Sequence, residues 1–469
     1  MDNDLAFASI EELAPRIRDG ELSPVALVEN CLERIDALDG KLNAFLVVFR
    51  EDALKQAEVL QKEIADGHYR GALHGIPIGL KDLIDVQGTV TTGGSTILKD
   101  NVATSDATVT RNLKKAGAIV MGKLNLVEFA LGATGMNPHY GPGHNPWNEK
   151  RITCGSSIGS GAAVGGGLIY GALGSDTGGS IRMPAAVCGI AGLKPTYGVV
   201  SRAGVLDLSW SCDHVGPMTR RVADSAFMMT ALAGYDPLDP ASSREPAPDY
   251  TAAIGQGLDG VRIGVPEHYF FDDVDPEVEA AVRLGIDLME ANGASVSAIP
   301  MPWAAKGRAI NLSVMLPEAV SVHEKWLKQY RDQYSPEVHT RLESAIGISA
   351  LDYVKALRAR SWFNQQMADA TRDVDVLITP TVPIQTPTIE ACTPPPGGNT
   401  AREGGELGKF TGVFNTTGTP SLSVTCGFTE DGMPIGIMIS GKPFDDVTVL
   451  RVGDAYERLA GWWKSRPAL

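Results

Sequence analysis

The stretch from Cys154 to Tyr197 constrains this chain more than any other, because glycine, alanine and serine dominate it. Glycine costs backbone entropy and fills no core, so its accumulation indicates that the backbone approaches something closely or adopts unusual dihedral angles. Thr177, Gly178 and Gly179 lead directly into Ser180. Two flexible residues before a hydroxyl can turn successive N–H groups toward one point, which is how an oxyanion site is made from backbone. The pattern favours a serine nucleophile beside such a site.

A nucleophilic hydroxyl needs a base, and the glycine-rich stretch contains no histidine. The nearest histidines are His144 and His214, and either can fold back toward the stretch, so both stay candidates. The other candidate is Lys81, the only cation in the apolar, strand-like run from Gly75 to Ile84. A buried lysine loses its proton readily, because desolvation disfavours the charged form.

Five segments together resemble the motifs of the amidase signature family. They are GIPIGLKD around Lys81, NPW at Asn145 to Trp147, Gly155-Ser156-Ser157, GSDTGGSIRMPAAVCGIAGLKPTYG from Gly174 to Gly198, and DHVGPMTR from Asp213 to Arg220. The similarity runs through most of the chain and is weakest from about Pro300 to Arg372. The resemblance implies an α/β fold, in which a central mixed β-sheet is covered by helices on both faces.

The resemblance also implies the chemistry. Matched residue by residue, the catalytic lysine is Lys81, the bridging serine in an unusual cis peptide is Ser156, and the nucleophile is Ser180. The oxyanion hole then consists of the backbone N–H groups of Thr177, Gly178 and Gly179. Such a Ser-Ser-Lys triad hydrolyses the C–N bond of amides through an acyl-enzyme, and the same chemistry extends to aryl amides, esters and carbamates (urethanes).

Residues around the triad carry further expectations. Asp176 and Arg182 flank the nucleophile, and we expect them to hold its loop. Ile158 follows the serine pair where the family usually has glycine, and isoleucine cannot take positive φ cheaply. Either the backbone there is ordinary, or the local loop has moved. A competing pattern is the G-x-S-x-G elbow with Ser157 as the nucleophile, but the polar residues 148–151 stand where that motif needs a hydrophobic strand.

Strand-like and helical patterns alternate along the chain, which predicts an α/β class with buried strands. We expect a single domain over residues 1–469, with a helical part at about 1–70, a glycine-rich catalytic core at about 71–235, and a helical insertion and C-terminal part at about 236–469. The segment from Thr379 to Glu406 is rich in proline and glycine, which argues against helix and central strand. It is expected to be a surface loop, with an active-site lid as the alternative.

Composition excludes several classes of protein. The net charge of −15 argues against a nucleic-acid or anionic-membrane partner. The six cysteines are scattered without a Cys-x-x-Cys pair, which is typical of reduced thiols in a cytosolic protein and offers no zinc site. The acidic N-terminus lacks the features of a signal peptide, and the uncharged run from Ile152 to Ser175 is too rich in glycine and serine for a membrane span. We therefore expect a cytoplasmic enzyme without metal or cofactor.

Three functions remain open. The first is a stand-alone amidase for small amides, esters or carbamates, with Leu131, Gly132 and Trp210 as candidate substrate contacts, although a core position for the tryptophan is nearly as compatible. The second is the amidase (A) subunit of a tRNA-dependent amidotransferase, which shares the signature. The third is an inactive homologue that acts as a scaffold, against which the intact triad argues. Similar proteins are often dimers, so a homodimer is expected.

Overall fold

The computed structural model describes residues 2–393 and 403–469, without the side chains of residues 403 and 404. In this part of the chain, eleven strands form one sheet and two more form a small hairpin. The strands are β1 (Phe45–Val48), β2 (Pro77–Lys81), β3 (Ile119–Leu124), β4 (His144–Asn145), β5 (Asn148–Ile152), β6 (Gly171–Asp176), β7 (Ala191–Lys194), β8 (His214–Thr219), β9 (Arg262–Pro266), β10 (Ser295–Ile299), β11 (Val376–Pro380), β12 (Ser421–Phe428) and β13 (Pro434–Ser440).

The large sheet is mixed and runs in the order β1-β3-β2-β6-β8-β7-β12-β13-β11-β9-β10. Strand β2 is parallel to β3 and β6, and β9 is parallel to β10 and β11. The other neighbours in the sheet are antiparallel. The predicted α/β class with a mixed central sheet is confirmed, while the single domain over residues 1–469 stays a prediction.

Helices precede, separate and follow the strands. They are α1 (Asn3–Ala6), α2 (Ile10–Arg18), α3 (Pro24–Leu42), α4 (Arg50–Ala65), α5 (Thr108–Lys115), α6 (Ile158–Gly165), α7 (Arg182–Cys188), α8 (Val222–Leu232), α9 (Pro276–Ala291), α10 (Lys306–Gln329), α11 (Pro336–Ile346), α12 (Ala350–Ala370), α13 (Ile389–Cys392), α14 (Glu403–Leu407), α15 (Thr411–Thr417) and α16 (Asp446–Ala460). Within the described residues, no helix has the length and apolar character needed to cross a membrane.

The glycine-rich stretch folds into α6, β6, α7 and β7, and nearly all of it is buried. Its glycines allow neighbouring segments to approach closely. A Cβ added at Gly159 would overlap the carbonyl of Ala44 and lie 2.6 Å from the backbone nitrogen of Asn125. The expectation that backbone comes close to other groups in this stretch is therefore confirmed.

The segment from Thr379 to Glu406 was expected to be a surface loop, but its first two residues belong to a strand. Thr379 and Pro380 are the last residues of β11, which lies inside the sheet between β13 and β9. The proline stands at the end of the strand, where the ladder loses only one terminal donor. Farther along, α13 is a short helix (Ile389–Cys392). Residues 394–402 of the predicted loop lie outside the described residues. The alternative prediction, an active-site lid, is therefore not tested for that part of the segment.

Candidate active site

Lys81 lies at the end of β2 and its side chain is completely buried. Its Nζ donates hydrogen bonds to Ser156 Oγ at 2.6 Å and to Ser175 Oγ at 2.8 Å. Burial lowers the pKa of Lys81 to about 7, although the carboxylates of Asp176 and Asp213 oppose the change. Because half of such amines are neutral near pH 7, Lys81 can act as a base. Ser175 was not predicted to contact Lys81; strand β6 brings it there because β6 runs parallel to β2.

Ser156 follows a cis peptide bond from Gly155 and is completely buried. The cis peptide is the feature that the family resemblance implied. Ile158 begins α6 and is not among the residues with positive φ, so the backbone there is ordinary. Ser157 is also buried, and its Oγ donates to the carbonyl of Ser175 at 3.4 Å. Ser157 does not line the cavity beside the proposed nucleophile.

Ser180 lies in the turn between β6 and α7, is 7% exposed, and lines a cavity of about 60 Å³. Two side chains from distant helices hold the carbonyl groups that precede it. Asn311 Nδ2 donates to the carbonyl of Thr177 at 3.1 Å, and Thr411 Oγ1 donates to that of Gly178 at 2.6 Å. These bonds fix the turn, and they direct its carbonyl oxygens into the protein.

One predicted oxyanion donor is already engaged. The N–H of Gly179 donates to Asp176 Oδ1 at 2.8 Å, which differs from the prediction that it faces the reacting oxygen. The cause is the buried carboxylate, which needs donors and receives this one from the turn. Within the described residues, the N–H groups of Thr177, Gly178 and Ser180 have no hydrogen-bond acceptor. These three groups are therefore the candidate oxyanion donors.

A buried ion pair between Asp176 and Arg182 stabilises the turn that contains Ser180. Arg182 donates through Nε and Nη2 to the two carboxylate oxygens of Asp176, at 3.0 and 2.9 Å. The same guanidinium bonds the carbonyl of Thr411 and Oδ1 of Asn415. Burial alone would raise the pKa of Asp176, but Arg182 holds it well below its ordinary value. Asp176 and Arg182 thus hold the loop, as expected from their positions.

Asp213 is a second buried carboxylate at the site, and no functional role was predicted for it from the sequence. It accepts hydrogen bonds from Thr177 Oγ1 at 2.5 Å and from the backbone N–H groups of Leu208 and Ser209. Burial raises the pKa of Asp213 to about 6, despite these hydrogen bonds. Asp213 therefore connects the turn that begins at Thr177 to Leu208 and Ser209, which precede β8.

Neither candidate histidine contacts a serine of the site. The Nδ1 of His214 lies 2.7 Å from the carbonyl of Cys212, and burial holds the pKa of His214 well below its ordinary value. The Nδ1 of His144 lies 2.7 Å from the carbonyl of Glu149. Lys81 is therefore the base that the geometry favours. No group of three or more His, Cys, Asp or Glu side chains within residues 2–393 and 403–469 is arranged to hold a metal ion.

The cavity beside Ser180 is built from six separate segments of the chain. Its lining residues are Ala130, Leu131, Gly132, Ala133, Thr177, Gly178, Ser180, Met183, Leu208, Arg308, Asn311, Leu312, Met315, Arg341 and Gly408. Leu131 and Gly132 line this cavity, and their role as substrate contacts stays a prediction. Trp210 does not line this cavity, and it is 52% exposed.

Comparison with known proteins gives consistent results. A family model described as Amidase matches residues 26–450. An amidase of Pseudomonas putida is 38% identical over 467 residues, which cover 99% of this chain and 98% of that protein. The A subunit of the glutamyl-tRNA(Gln) amidotransferase of Chloroflexus aggregans is also 38% identical, over 505 residues and 99% of each chain. A solved structure from work on a vestigial protein complex and the evolutionary origins of an s-triazine catabolic enzyme matches with a TM-score of 0.91 and 34% identity, over 96% of this chain and 98% of that one.

Proposed function

Because this chain belongs to the amidase signature family, whose members are amide hydrolases of the serine type, we propose that it hydrolyses amide C–N bonds through Lys81, Ser156 and Ser180. One observation carries the proposal. The Nζ of Lys81 lies 2.6 Å from Ser156 Oγ in a fully buried position, where burial lowers the pKa of the lysine to about 7. An amine in that state can accept a proton at neutral pH.

The proposed reaction begins when neutral Lys81 accepts the proton of Ser156, which in turn accepts the proton of Ser180. The Oγ of Ser180 attacks the carbonyl carbon, and the free N–H groups of Thr177, Gly178 and Ser180 bind the oxyanion. The proton passes to the leaving nitrogen as the C–N bond breaks. Water then attacks the acyl-enzyme, releases the acid and restores Ser180. The sum is one water added across one C–N bond.

The relay requires a contact that forms with substrate. Lys81 and Ser156 are hydrogen-bonded, whereas no hydrogen bond joins Ser156 to Ser180 in the described structure. Catalytic hydrogen bonds are often long before substrate binds and tighten in the complex.

The acyl-enzyme chemistry sets no strict limit on the leaving group, so we extend the proposal to aryl amides, esters and carbamates. The test is a panel of an anilide, an aliphatic amide, a nitrophenyl ester and an aryl carbamate, with Ser180→Ala, Ser156→Ala and Lys81→Met as variants. We expect Ser180→Ala to lower kcat by more than about 10⁴-fold on every compound that the wild type hydrolyses. Ser157→Ala is the matched control, and it should keep activity because the Ser157 hydroxyl bonds the carbonyl of Ser175, whereas Lys81 bonds Ser156 and Ser175. Activity that survives in Ser180→Ala and disappears in Ser157→Ala would overturn the assignment.

A second candidate function rests on the equally high identity to the A subunit of the amidotransferase. In that case the chain releases ammonia from glutamine within a complex. Glutaminase activity that appears only with partner subunits present would favour this function, whereas turnover of simple amides by the purified chain alone would favour the first. The expected homodimer stays a prediction, which light scattering of the purified protein tests.

A further inference from the structure

The cavity beside Ser180 has an unusual charge for so acidic a protein. Two arginines line it, Arg308 from α10 and Arg341 from α11, and no acidic side chain does so among the described residues. The whole chain, by contrast, has a net charge of −15. The remaining wall is mostly apolar, with Leu312 and Met315 among its members. An apolar pocket with a few convergent polar groups is the usual form of a small-molecule site.

The hydrogen-bonding capacity of the two guanidinium groups is only partly used. Arg341 Nη2 bonds Glu337 Oε1 at 2.8 Å, but its Nε is buried without a partner. Arg308 bonds the carbonyl of Gly408, and no described carboxylate lies within ion-pair distance of it. A polar group in a partly desolvated cavity is costly without a partner, so the Arg308 guanidinium that lines the cavity favours a ligand that can accept hydrogen bonds from it.

The two cations also repel each other. Burial lowers the pKa of Arg308, and the charge of Arg341 lowers it further, while Tyr269 and the exposed Glu406 act in the opposite direction. Glu337 pairs with Arg341 at 2.8 Å and offsets its charge, whereas Arg308 has no described carboxylate partner, so an anion near both guanidinium groups is stabilised mainly by Arg308. Guanidinium groups bind carboxylates through two parallel hydrogen bonds, which are among the strongest in proteins.

We propose that the substrate is a small amide that carries a carboxylate, which Arg308 and Arg341 bind while the scissile carbonyl lies at Ser180. This inference rests on the proposed function, because it places the amide at the same nucleophile. Ser180 and both arginines line the same small cavity of about 60 Å³, which has room for roughly four water molecules, so we place a short chain between amide and carboxylate. The half-amide of a short dicarboxylic acid has this form.

Binding tests the inference without requiring turnover. Calorimetry on Ser180→Ala should compare succinamate with 4-oxopentanamide, in which a neutral acetyl group replaces the carboxylate, and with the cationic 4-aminobutanamide. We expect succinamate to bind about 10- to 100-fold more tightly than its neutral counterpart, since hydrogen bonds to charged groups are worth that much. Equal binding of succinamate and 4-oxopentanamide, or tighter binding of the cationic amide, would overturn the inference.

Variants then locate the effect. Arg308→Gln and Arg341→Gln should each reduce the preference for succinamate over 4-oxopentanamide about tenfold. Because the preference is a ratio within one protein sample, a partly unfolded variant does not distort it. Arg358→Gln is the matched control, since Arg358 is exposed and does not line the cavity. A preference that persists in both cavity variants would overturn the assignment to these arginines.

Turnover separates this inference from the proposed function. With the wild type, ammonia release should give a kcat/KM for succinamate about 10- to 100-fold above that for 4-oxopentanamide. Hydrolysis of both amides at similar rates would contradict the carboxylate preference alone. A carboxylate preference in binding without hydrolysis of any amide or ester would contradict the proposed function and leave the anion site standing.

Discussion

Gly179 faces Thr411 so closely that a Cβ at position 179 would overlap the Thr411 hydroxyl and lie 2.6 Å from its Cβ. Gly179 also has a φ of +131°, which residues with side chains rarely adopt. The contact joins the turn before the proposed nucleophile to α15, more than two hundred residues later. The geometry of the turn thus depends on a residue without a side chain.

Gly179→Ala is expected to destabilise the protein by about 2–4 kcal/mol, because it adds backbone strain and overpacking at one point. It should also lower kcat at least about 100-fold, since the oxyanion donors move with the turn. Urea denaturation and steady-state kinetics measure the two effects. Gly178→Ala is the control for stability, because its nearest neighbour would lie at an ordinary 3.4 Å. Equal stability losses in the two variants would contradict the prediction.

The activity should depend on pH through Lys81. Its pKa of about 7 means that the amine is mostly protonated below that pH and cannot accept a proton. We therefore expect kcat/KM to rise about tenfold per pH unit below pH 7 and to level off above it. The profile should be measured from pH 5 to 9 with a neutral substrate. A profile that is flat across this range would exclude Lys81 as the base.

Asp213→Asn should move this profile in a defined direction. The Asp213 carboxylate raises the pKa of Lys81 against the larger effect of burial. Without it the lysine deprotonates more easily, so the acidic limb moves to lower pH even if the maximal rate falls. Asp207→Asn is the matched control, because Asp207 is a nearby exposed carboxylate that does not act on Lys81. A limb that moves to higher pH would contradict the electrostatic account.

Lys81→Met should abolish activity and yet stabilise the protein by about 2 kcal/mol at pH 7. The lowering of the Lys81 pKa from 10.5 to about 7 means that burying this lysine costs folding free energy, because it loses its proton or its solvation. Methionine removes this cost, but it also removes the two hydrogen bonds of Lys81, which offsets part of the gain in stability. The sign follows from proton binding. Between pH 7 and 10.5 the unfolded state binds more protons, so wild-type stability rises with pH and the advantage of the variant shrinks.

Urea denaturation at pH 7 and pH 10 checks this prediction. Lys123→Met is the matched control with the opposite sign, because Lys123 is equally buried but forms an ion pair with Asp82 at 2.6 Å. Its removal leaves a buried carboxylate unpaired, which costs about 3 kcal/mol. Destabilisation by both variants would show that Lys81 is an ordinary buried cation.

Arg182→Met should destabilise the protein by about 3–5 kcal/mol, because it leaves the Asp176 carboxylate buried without its partner. The control is Arg262→Met, which breaks a surface pair with Asp375 in which the arginine side chain is 50% exposed. Such a pair contributes less than about 1 kcal/mol. Urea denaturation measures the loss of unfolding free energy in each variant. Similar losses in the two variants would contradict the role of the buried Asp176–Arg182 ion pair in stabilising the turn.

Several parts of the site were readable from local sequence. Ser180 follows two glycines, and Lys81 is the one cation of an apolar strand, so local sequence made both residues candidates, while their roles came from the resemblance of several segments to one family. Ser156 depended instead on resemblance to a family, because nothing local distinguishes it from Ser157. The hydrogen bond from the Gly179 N–H to Asp176 was not predicted, because every residue except proline has a backbone N–H and the sequence does not show its direction.

The sequence by itself determined the α/β class and the glycine-rich turn, because hydrophobic periodicity and the freedom of glycine act within a few residues. The residues proposed for the triad came from the resemblance of several segments together to one family. Only the tertiary structure decided which distant groups complete the site. Ser175 reaches Lys81 through the order of the strands, and Asn311 and Thr411 reach the turn through the packing of two helices. Such contacts depend on how the whole chain minimises buried, unpaired polar groups, which no single segment specifies.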